Sequence, residues 1–283
     1  MQLNIAEQNR VRHACAVAVT LWLVLTAAGG CARTWKVYKN PAFVTEADTR
    51  RYVTQALEAE APDDRRAAIV QIAQTRFVRR DTVIAALSTI ARTDGSSAVR
   101  CAAVRALGVA GTVAVAEPLC ALICEHPDQR DCLPPDDAIR WDALDSLLPL
   151  TRSGTLDEAQ QADLTESALR LLRTNPSRDV RIAAARVLGH LPRDGVLPAL
   201  VEALRQRDFG VVYEADRSLM ALTGQDFDHD PVAWNVWLQQ TQEPFAQRGR
   251  LDDRLREPPQ DWWSQTAGSV RRTLSRFGPK EDL

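Results

Sequence analysis

The sequence predicts an all-α fold, a solenoid in which pairs of antiparallel helices stack side by side. The main observation is a helical pattern of small and apolar residues that recurs five times between residues 60 and 225. Successive copies are 31 to 41 residues apart, a period typical of repeats that each contain two helices. Each copy centres on one alanine: Ala68, Ala103, Ala143, Ala184 and Ala215.

Each copy predicts the second helix of a pair. In residues 99–107 the apolar side chains recur at i, i+3, i+4, i+7 and i+8, which places them on one helical face. Gly108 and Gly189 follow two of the copies as signals for a helix end. The intervening segments predict first helices at about 80–93, 113–125, 158–174 and 194–206. The sequence therefore predicts about five helix pairs.

Two of these segments resemble the second helix of HEAT repeats, including the related repeats of phycobilisome lyases. They are VRCAAVRALG (99–108) and DVRIAAARVLG (179–189). The resemblance implies an α-solenoid with its first helices on the convex side and its second helices on the concave side. It also implies that the arginine after the leading apolar residue joins neighbouring repeats. In this sequence these arginines are Arg100, Arg140 and Arg181.

The N-terminus predicts an export signal. Residues 1–13 are polar, and residues 14–28 are apolar and uncharged. That apolar run is too short to span a membrane but suits a signal peptide. With Ala28-Gly29-Gly30 before Cys31, the segment resembles a bacterial lipoprotein signal, which implies cleavage before Cys31 and acylation of its thiol. The alternatives are cleavage that leaves Cys31 as a plain thiol, and an uncleaved anchor.

We divide the chain into six segments on this basis. They are a signal peptide (1–30), a tether (31–46), the repeats (47–225), a capping helix (226–242), a linker (243–261) and a basic amphipathic tail helix (262–283). In the capping helix, Trp234, Trp237 and Leu238 are spaced i, i+3 and i+4. Such a stripe would cover the last exposed core of a solenoid.

The tail is basic and rich in tryptophan. It contains Trp262, Trp263, Arg271, Arg272 and Arg276, and no acidic residue up to residue 280. These features predict a surface for an anionic membrane or a partner, and docking back onto the solenoid is the alternative.

Four cysteines lie within the predicted fold: Cys101, Cys120, Cys124 and Cys132. Export would favour their oxidation. We favour a Cys124–Cys132 disulfide, which would close a short loop, and a Cys101–Cys120 disulfide is then possible. Cys120, Cys124, Cys132 and His126 contain suitable zinc-binding groups, but their spacing fits no standard zinc finger, so we predict no metal.

The sequence gives no support for catalysis. It lacks the phosphate-binding, dinucleotide-binding, serine-hydrolase and zinc-protease motifs. The formal net charge is −2, which gives no basic field for nucleic acid. Asp226, Asp228 and Asp230 alternate around His229 but lack the glycine and glutamate of a calcium loop, which favours a solvated turn. We predict no enzyme activity, cofactor, nucleic-acid partner or small-molecule substrate.

The concave face is the predicted binding surface. Its exposed positions come two and six residues after the leading apolar residue of each second helix, and aromatic and arginine side chains there suit an extended acidic or mixed peptide. A groove with no specific ligand is the alternative. The predicted partner-binding residues are Arg66, Arg105, Trp141, Asp145, Arg186, Tyr213 and Arg217.

These features together predict a non-catalytic lipoprotein that faces the periplasm and binds another protein as a scaffold or adaptor. Ala32, rather than aspartate, follows Cys31, and by resemblance to lipoproteins of Gram-negative bacteria this slightly favours the outer membrane. One alternative, implied by the lyase resemblance, is a phycobilin-lyase-like protein that handles a chromophore. A structural spacer without a specific ligand is the other.

Overall fold

The computed structural model describes residues 44–123 and 133–251, and the regular elements within them are helices. Eleven α-helices lie in these ranges. They are α1 (Glu46–Glu58), α2 (Pro62–Ala73), α3 (Asp81–Thr93), α4 (Ser97–Ala110), α5 (Ala116–Ile123), α6 (Asp137–Ser153), α7 (Glu158–Thr174), α8 (Arg178–Leu188), α9 (Val196–Ala203), α10 (Phe209–Thr223) and α11 (Pro231–Gln240). Short 3₁₀ helices cover Arg76–Arg79 and Val113–Val115.

The helices form two layers. The first helices α1, α3, α5, α7 and α9 pack in that order in one layer, and the second helices α2, α4, α6, α8 and α10 pack in that order in the other. Each first helix also packs against the second helix that follows it, and α11 packs against α9. This arrangement confirms the predicted all-α solenoid of five helix pairs with a C-terminal capping helix.

The first helices begin and end close to their predicted positions. Helix α3 covers Asp81–Thr93 and α7 covers Glu158–Thr174. The predicted 113–125 helix divides into a 3₁₀ turn and α5, and α9 begins after Gly195, whose φ is +80°. Helix α1 begins at Glu46 because Thr45 and Asp48 cap it reciprocally: each side chain accepts a hydrogen bond from the other's backbone N–H.

The repeated alanines explain how closely the second helices pack. All five anchor alanines are buried, with at most 2% of their surface exposed. A methyl side chain lets neighbouring helices approach, while leucine and isoleucine side chains fill the space between the layers. The largest buried apolar side chains include Leu87, Leu107, Leu144 and Leu164.

The arginine three residues before the anchor alanine joins successive repeats. Arg65 donates to the Ala59 and Glu60 carbonyls of its own repeat and pairs with Asp94 of the next repeat at 2.7 Å. Arg181 likewise donates hydrogen bonds to the Asn175 and Pro176 carbonyls of its own repeat. It also donates to the Gln206 side chain of the next repeat. These bonds satisfy carbonyl groups in the turns and hold each repeat to its neighbour.

Arg100 and Arg140 reach the next repeat by different routes. Arg100 donates to the Pro134 carbonyl at 3.3 Å and lies 3.6 Å from Asp136. Arg140 pairs with Asp137 of its own helix, and Asp137 in turn accepts a hydrogen bond from Asn175 of the next repeat. The structural role implied for these arginines is therefore visible in their contacts.

The C-terminal cap includes residues beyond α11. Trp234 is fully buried, and Phe227 contacts it edge-on with 4.8 Å between ring centroids. Residues 243–251, which the sequence assigns to a linker, lie against α10. The Gly249 N–H donates to the Ala221 carbonyl at 3.1 Å, and the side chains of Phe245 and Leu251 pack against the core. These apolar side chains explain why a charged segment packs here.

Several predicted features lie outside the described residues. They are the signal peptide, Cys31, the tether up to residue 43, Cys124, Cys132, the remainder of the linker (252–261) and the basic tail (262–283).

Two glycines mark the closest approaches between second helices. A Cβ atom on Gly108 would lie 2.6 Å from Ser146 Oγ, and a Cβ on Gly189 would lie 2.6 Å from Ser218 Oγ and 3.0 Å from its Cα. Each serine hydroxyl donates a hydrogen bond to the facing helix. Ser146 donates to the Val104 carbonyl and Ser218 to the Ala185 carbonyl. We call these contacts the α4–α6 and α8–α10 glycine–serine joints.

We expect Gly189→Ala to lower the free energy of unfolding by about 1–3 kcal/mol, because the new methyl group overlaps Ser218 of α10. Urea unfolding of the full-length protein in detergent measures this change. Gly95→Ala is the matched control, since nothing lies within 4 Å of its Cβ, and it should change stability by less than about 0.5 kcal/mol. Equal effects of both variants would contradict a tight α8–α10 joint.

Candidate functional site

The exposed side of α2, α4, α6, α8 and α10 forms one surface, which we call the second-helix face. The structure places all seven predicted partner-binding residues on these helices, each at least partly exposed. Trp141 is 38% exposed and Tyr213 is 45% exposed. Side chains of this size gain binding energy when a partner covers them.

Two arginines of this face are paired with carboxylates of the next helix. Arg105 Nε lies 2.8 Å from Asp142 Oδ1, and Arg186 binds both carboxylate oxygens of Glu214 at 3.2 and 3.3 Å. Both acids are buried, and both stand three residues after the leading apolar residue of their helix. Sequence analysis missed these partners, although their matching positions in two repeats were a signal for them.

The two arginines differ in what they can still bind. The Arg105 side chain is 66% exposed and uses only Nε in its ion pair with Asp142. The hydrogen bond to Asp142 raises the pKa of Arg105, so the guanidinium stays charged. Arg186 is 31% exposed and holds Glu214 with two nitrogens. Arg105 is therefore better placed than Arg186 to bind an acidic partner group.

Cys101 and Cys120 are not joined by a disulfide; both are buried thiols. The structure does not contain the possible Cys101–Cys120 bridge. Cys101 lies on α4 beside Asp142 of α6, whereas Cys120 belongs to α5 in the other layer. Burial, reinforced by the negative charge of Asp142, raises the pKa of Cys101 to about 11. The thiol is thus protonated and unreactive at neutral pH.

Three rings form an aromatic cluster at the C-terminal end of the second-helix face. Phe209, Tyr213 and His229 have centroids 6.1 to 6.4 Å apart, and their planes differ by 15 to 31°. Phe209 is 72% exposed. The Arg217 guanidinium lies 5.7 Å from the Tyr213 centroid, within the range of a cation–π contact. Sequence analysis found Tyr213 and Arg217 but not Phe209 or His229.

Asp216 holds this cluster to the cap. Its carboxylate is buried, accepts a hydrogen bond from Trp234 Nε1 at 3.3 Å and lies 3.7 Å from His229 Nδ1. Burial raises the pKa of Asp216, an effect that His229 and Trp234 oppose. Asp228 and His229 have positive φ values of 48° and 64°, so contacts with α10 keep this turn in a conformation that side chains seldom adopt.

The carboxylates of the 226–230 turn are exposed. Asp226 accepts the Asp228 backbone N–H, and Asp230 caps α11. Among residues 44–123 and 133–251, no group of three or more histidine, cysteine or acidic side chains is arranged to hold a metal ion. Within the same ranges, no helix combines the length and apolar character needed to cross a membrane.

Comparison with known proteins identifies the repeats. The HEAT-repeat family matches residues 51–131 and 165–233, together just over half of the chain. The crystal structure of an engineered protein is similar to this chain, with 17% sequence identity and a TM-score of 0.45. The similarity covers 68% of this chain and 85% of the engineered protein. No curated protein matches the chain.

Asp216→Asn tests how burial affects the cap. An aspartate with a raised pKa in the folded state stabilises the fold below its ordinary pKa of 3.8 and loses that contribution as pH rises through the folded-state pKa. Asparagine can still accept the Trp234 hydrogen bond but does not ionise. We therefore expect the stability of Asp216→Asn relative to the natural protein to increase from pH 4 to pH 7.

Urea unfolding at several pH values measures this trend. His229 and Asp226 are the ionisable groups that act on Asp216, so the series also includes His229→Asn. Asp145→Asn is the control, since this exposed side chain should show no such trend. A relative stability that falls between pH 4 and pH 7 would exclude a raised pKa for Asp216.

Proposed function

Because the chain belongs to the HEAT-repeat family, we propose that it is a non-catalytic scaffold or adaptor that binds another protein through the second-helix face. HEAT repeats in general serve as protein-interaction scaffolds. The observation that carries the proposal is the row of exposed aromatic side chains on second helices, formed by Trp141, Phe209 and Tyr213. Aromatic residues of this kind are enriched among those that dominate binding energy.

The spacing of the aromatic residues suits an extended peptide. Trp141 lies on α6 and Tyr213 on α10, with α8 between them. Neighbouring helices pack about 8–10 Å apart, so the two side chains are separated by roughly 20 Å. An extended chain advances about 3.3 Å per residue, and about six residues would cover this distance.

The charges on the face favour a peptide with both acidic and basic residues. Arg105 has unused donor groups, while Arg186 is largely engaged by Glu214. Asp145 is exposed on α6 between these two arginines. Asp145 would repel a purely acidic ligand, whereas a mixed peptide can place an acidic side chain at Arg105 and a basic side chain at Asp145.

We further propose that the protein is anchored by an acylated Cys31 and faces the periplasm, with the outer membrane favoured. The support is the N-terminal sequence, in which a short apolar run ends in two glycines before Cys31. Helix α1 begins at Glu46, so residues 32–45 could extend at most about 50 Å from the lipid. The second-helix face would then act close to the membrane surface.

We expect Trp141→Ala/Tyr213→Ala to reduce partner capture about tenfold or more, because two central aromatic contacts are lost. Crosslinking in cells, followed by affinity capture of the tagged full-length protein, measures the yield. Aromatic variants are preferable to arginine variants, since replacing Arg105 or Arg186 would leave Asp142 or Glu214 buried without its cation.

Arg173→Glu, on the exposed side of first helix α7, is the control and should capture the partner normally. Equal capture by the double variant and the control, or no enriched protein at all, would favour the spacer alternative. A new absorbance band after incubation with a bilin would instead favour the lyase-like alternative.

Cys31→Ser should move the protein from the membrane fraction to the soluble fraction, because serine lacks the thiol that would be acylated. Fractionation of cells followed by immunoblotting measures the distribution. The matched variant is Cys101→Ser, since this buried thiol lies within the solenoid and should not affect anchoring. Retention of Cys31→Ser in membranes would refute the lipoprotein assignment.

A further inference from the structure

The aromatic cluster leaves a large apolar surface exposed beside an excess of negative charge. Phe209 and Tyr213 are among the exposed large apolar side chains, and such patches are typical of binding sites. Residues 208–232 contain six carboxylates and one arginine, although Asp208 and Glu214 are paired with Arg178 and Arg186 of α8. Three of these carboxylates are exposed in the turn that carries His229: Asp226, Asp228 and Asp230.

The C-terminal tail has the complementary composition. Residues 262–280 contain four basic residues and no acidic residue. The same stretch contains five large apolar side chains: Trp262, Trp263, Val270, Leu274 and Phe277. A segment of this kind can cover exposed aromatic rings while its arginines meet carboxylates.

The described residues end near the C-terminal end of α10, at the opposite end of that helix from Phe209. Residues 243–251 contact the C-terminal end of α10, where the Gly249 N–H donates to the Ala221 carbonyl. Ala221 and Phe209 are twelve residues apart on the same helix, or about 18 Å. The ten residues 252–261 can extend to about 35 Å, so the tail is long enough to reach the cluster.

We propose that the C-terminal tail of this chain, residues 262–280, docks on the aromatic cluster. Its apolar side chains cover Phe209 and Tyr213, and its arginines face the carboxylates of the 226–230 turn. The docked tail covers the last repeat of the second-helix face. One consequence rests on the proposed function: the tail competes with the protein partner at this end of the face.

A photo-crosslinker placed at residue 209 tests the docking directly. Benzoylphenylalanine replaces Phe209 in the full-length protein in detergent, and irradiation is followed by peptide mapping. We expect a crosslink to residues 262–280 within a single chain. The same crosslinker at Val109, which is exposed on α4, is the control and should not reach the tail. Thermal melts check that both proteins fold.

Charge variants test the recognition. Asp226→Asn/Asp228→Asn keeps the acceptor atom that bonds the Asp228 backbone, and it leaves Asp230 to cap α11. The loss of two exposed ion pairs should reduce crosslinking about two- to thirtyfold. Arg271→Glu/Arg272→Glu should reduce it at least as much.

Three results would overturn the proposal. The first is no crosslink to the tail, and the second is a crosslink that joins two chains. The third is loss of the crosslink when anionic phosphatidylglycerol vesicles are added, which would make the membrane the tail's binding surface. If the crosslink forms but Arg271→Glu/Arg272→Glu captures the partner no better than the natural protein, only the competition is refuted. If neither the natural protein nor any variant captures a partner, the proposed function is refuted.

Discussion

The close packing of successive second helices is the constraint on which the rest of the structure depends. Buried alanines at the centre of each helix bring neighbouring backbones together, and at two interfaces a glycine meets a serine with no room for a Cβ. This distance also determines which side chains can meet across the exposed face. Arg105 and Arg186 each reach a carboxylate on the next helix because the helices are this close.

The joints between second helices alternate in kind. The α4–α6 and α8–α10 joints share one chemistry, in which a glycine faces a serine and an arginine pairs with a buried acid. At the α6–α8 joint the position equivalent to the glycine is Leu148, and Asp145 replaces the arginine. Along the second-helix face, joints that carry an arginine–acid ion pair therefore alternate with joints that lack one, and Asp145 lies at a joint that lacks one.

The fold could be predicted from the sequence, but only part of the candidate site could. Periodicity predicted the helix pairs, the anchor alanines and the buried Trp234, because each depends on contacts within one repeat or with its neighbour. Asp142 and Glu214 resemble ordinary solvated acids in the sequence, and only the packing of the next helix shows that they are buried. Phe245 and Leu251 are too sparse in a charged segment to predict that it packs on α10.

The cap and the aromatic cluster are a single unit, because Asp216 contacts both. The same buried carboxylate accepts the indole N–H of Trp234 and lies beside His229. A substitution of Trp234 would therefore remove a hydrogen bond from the carboxylate that His229 approaches.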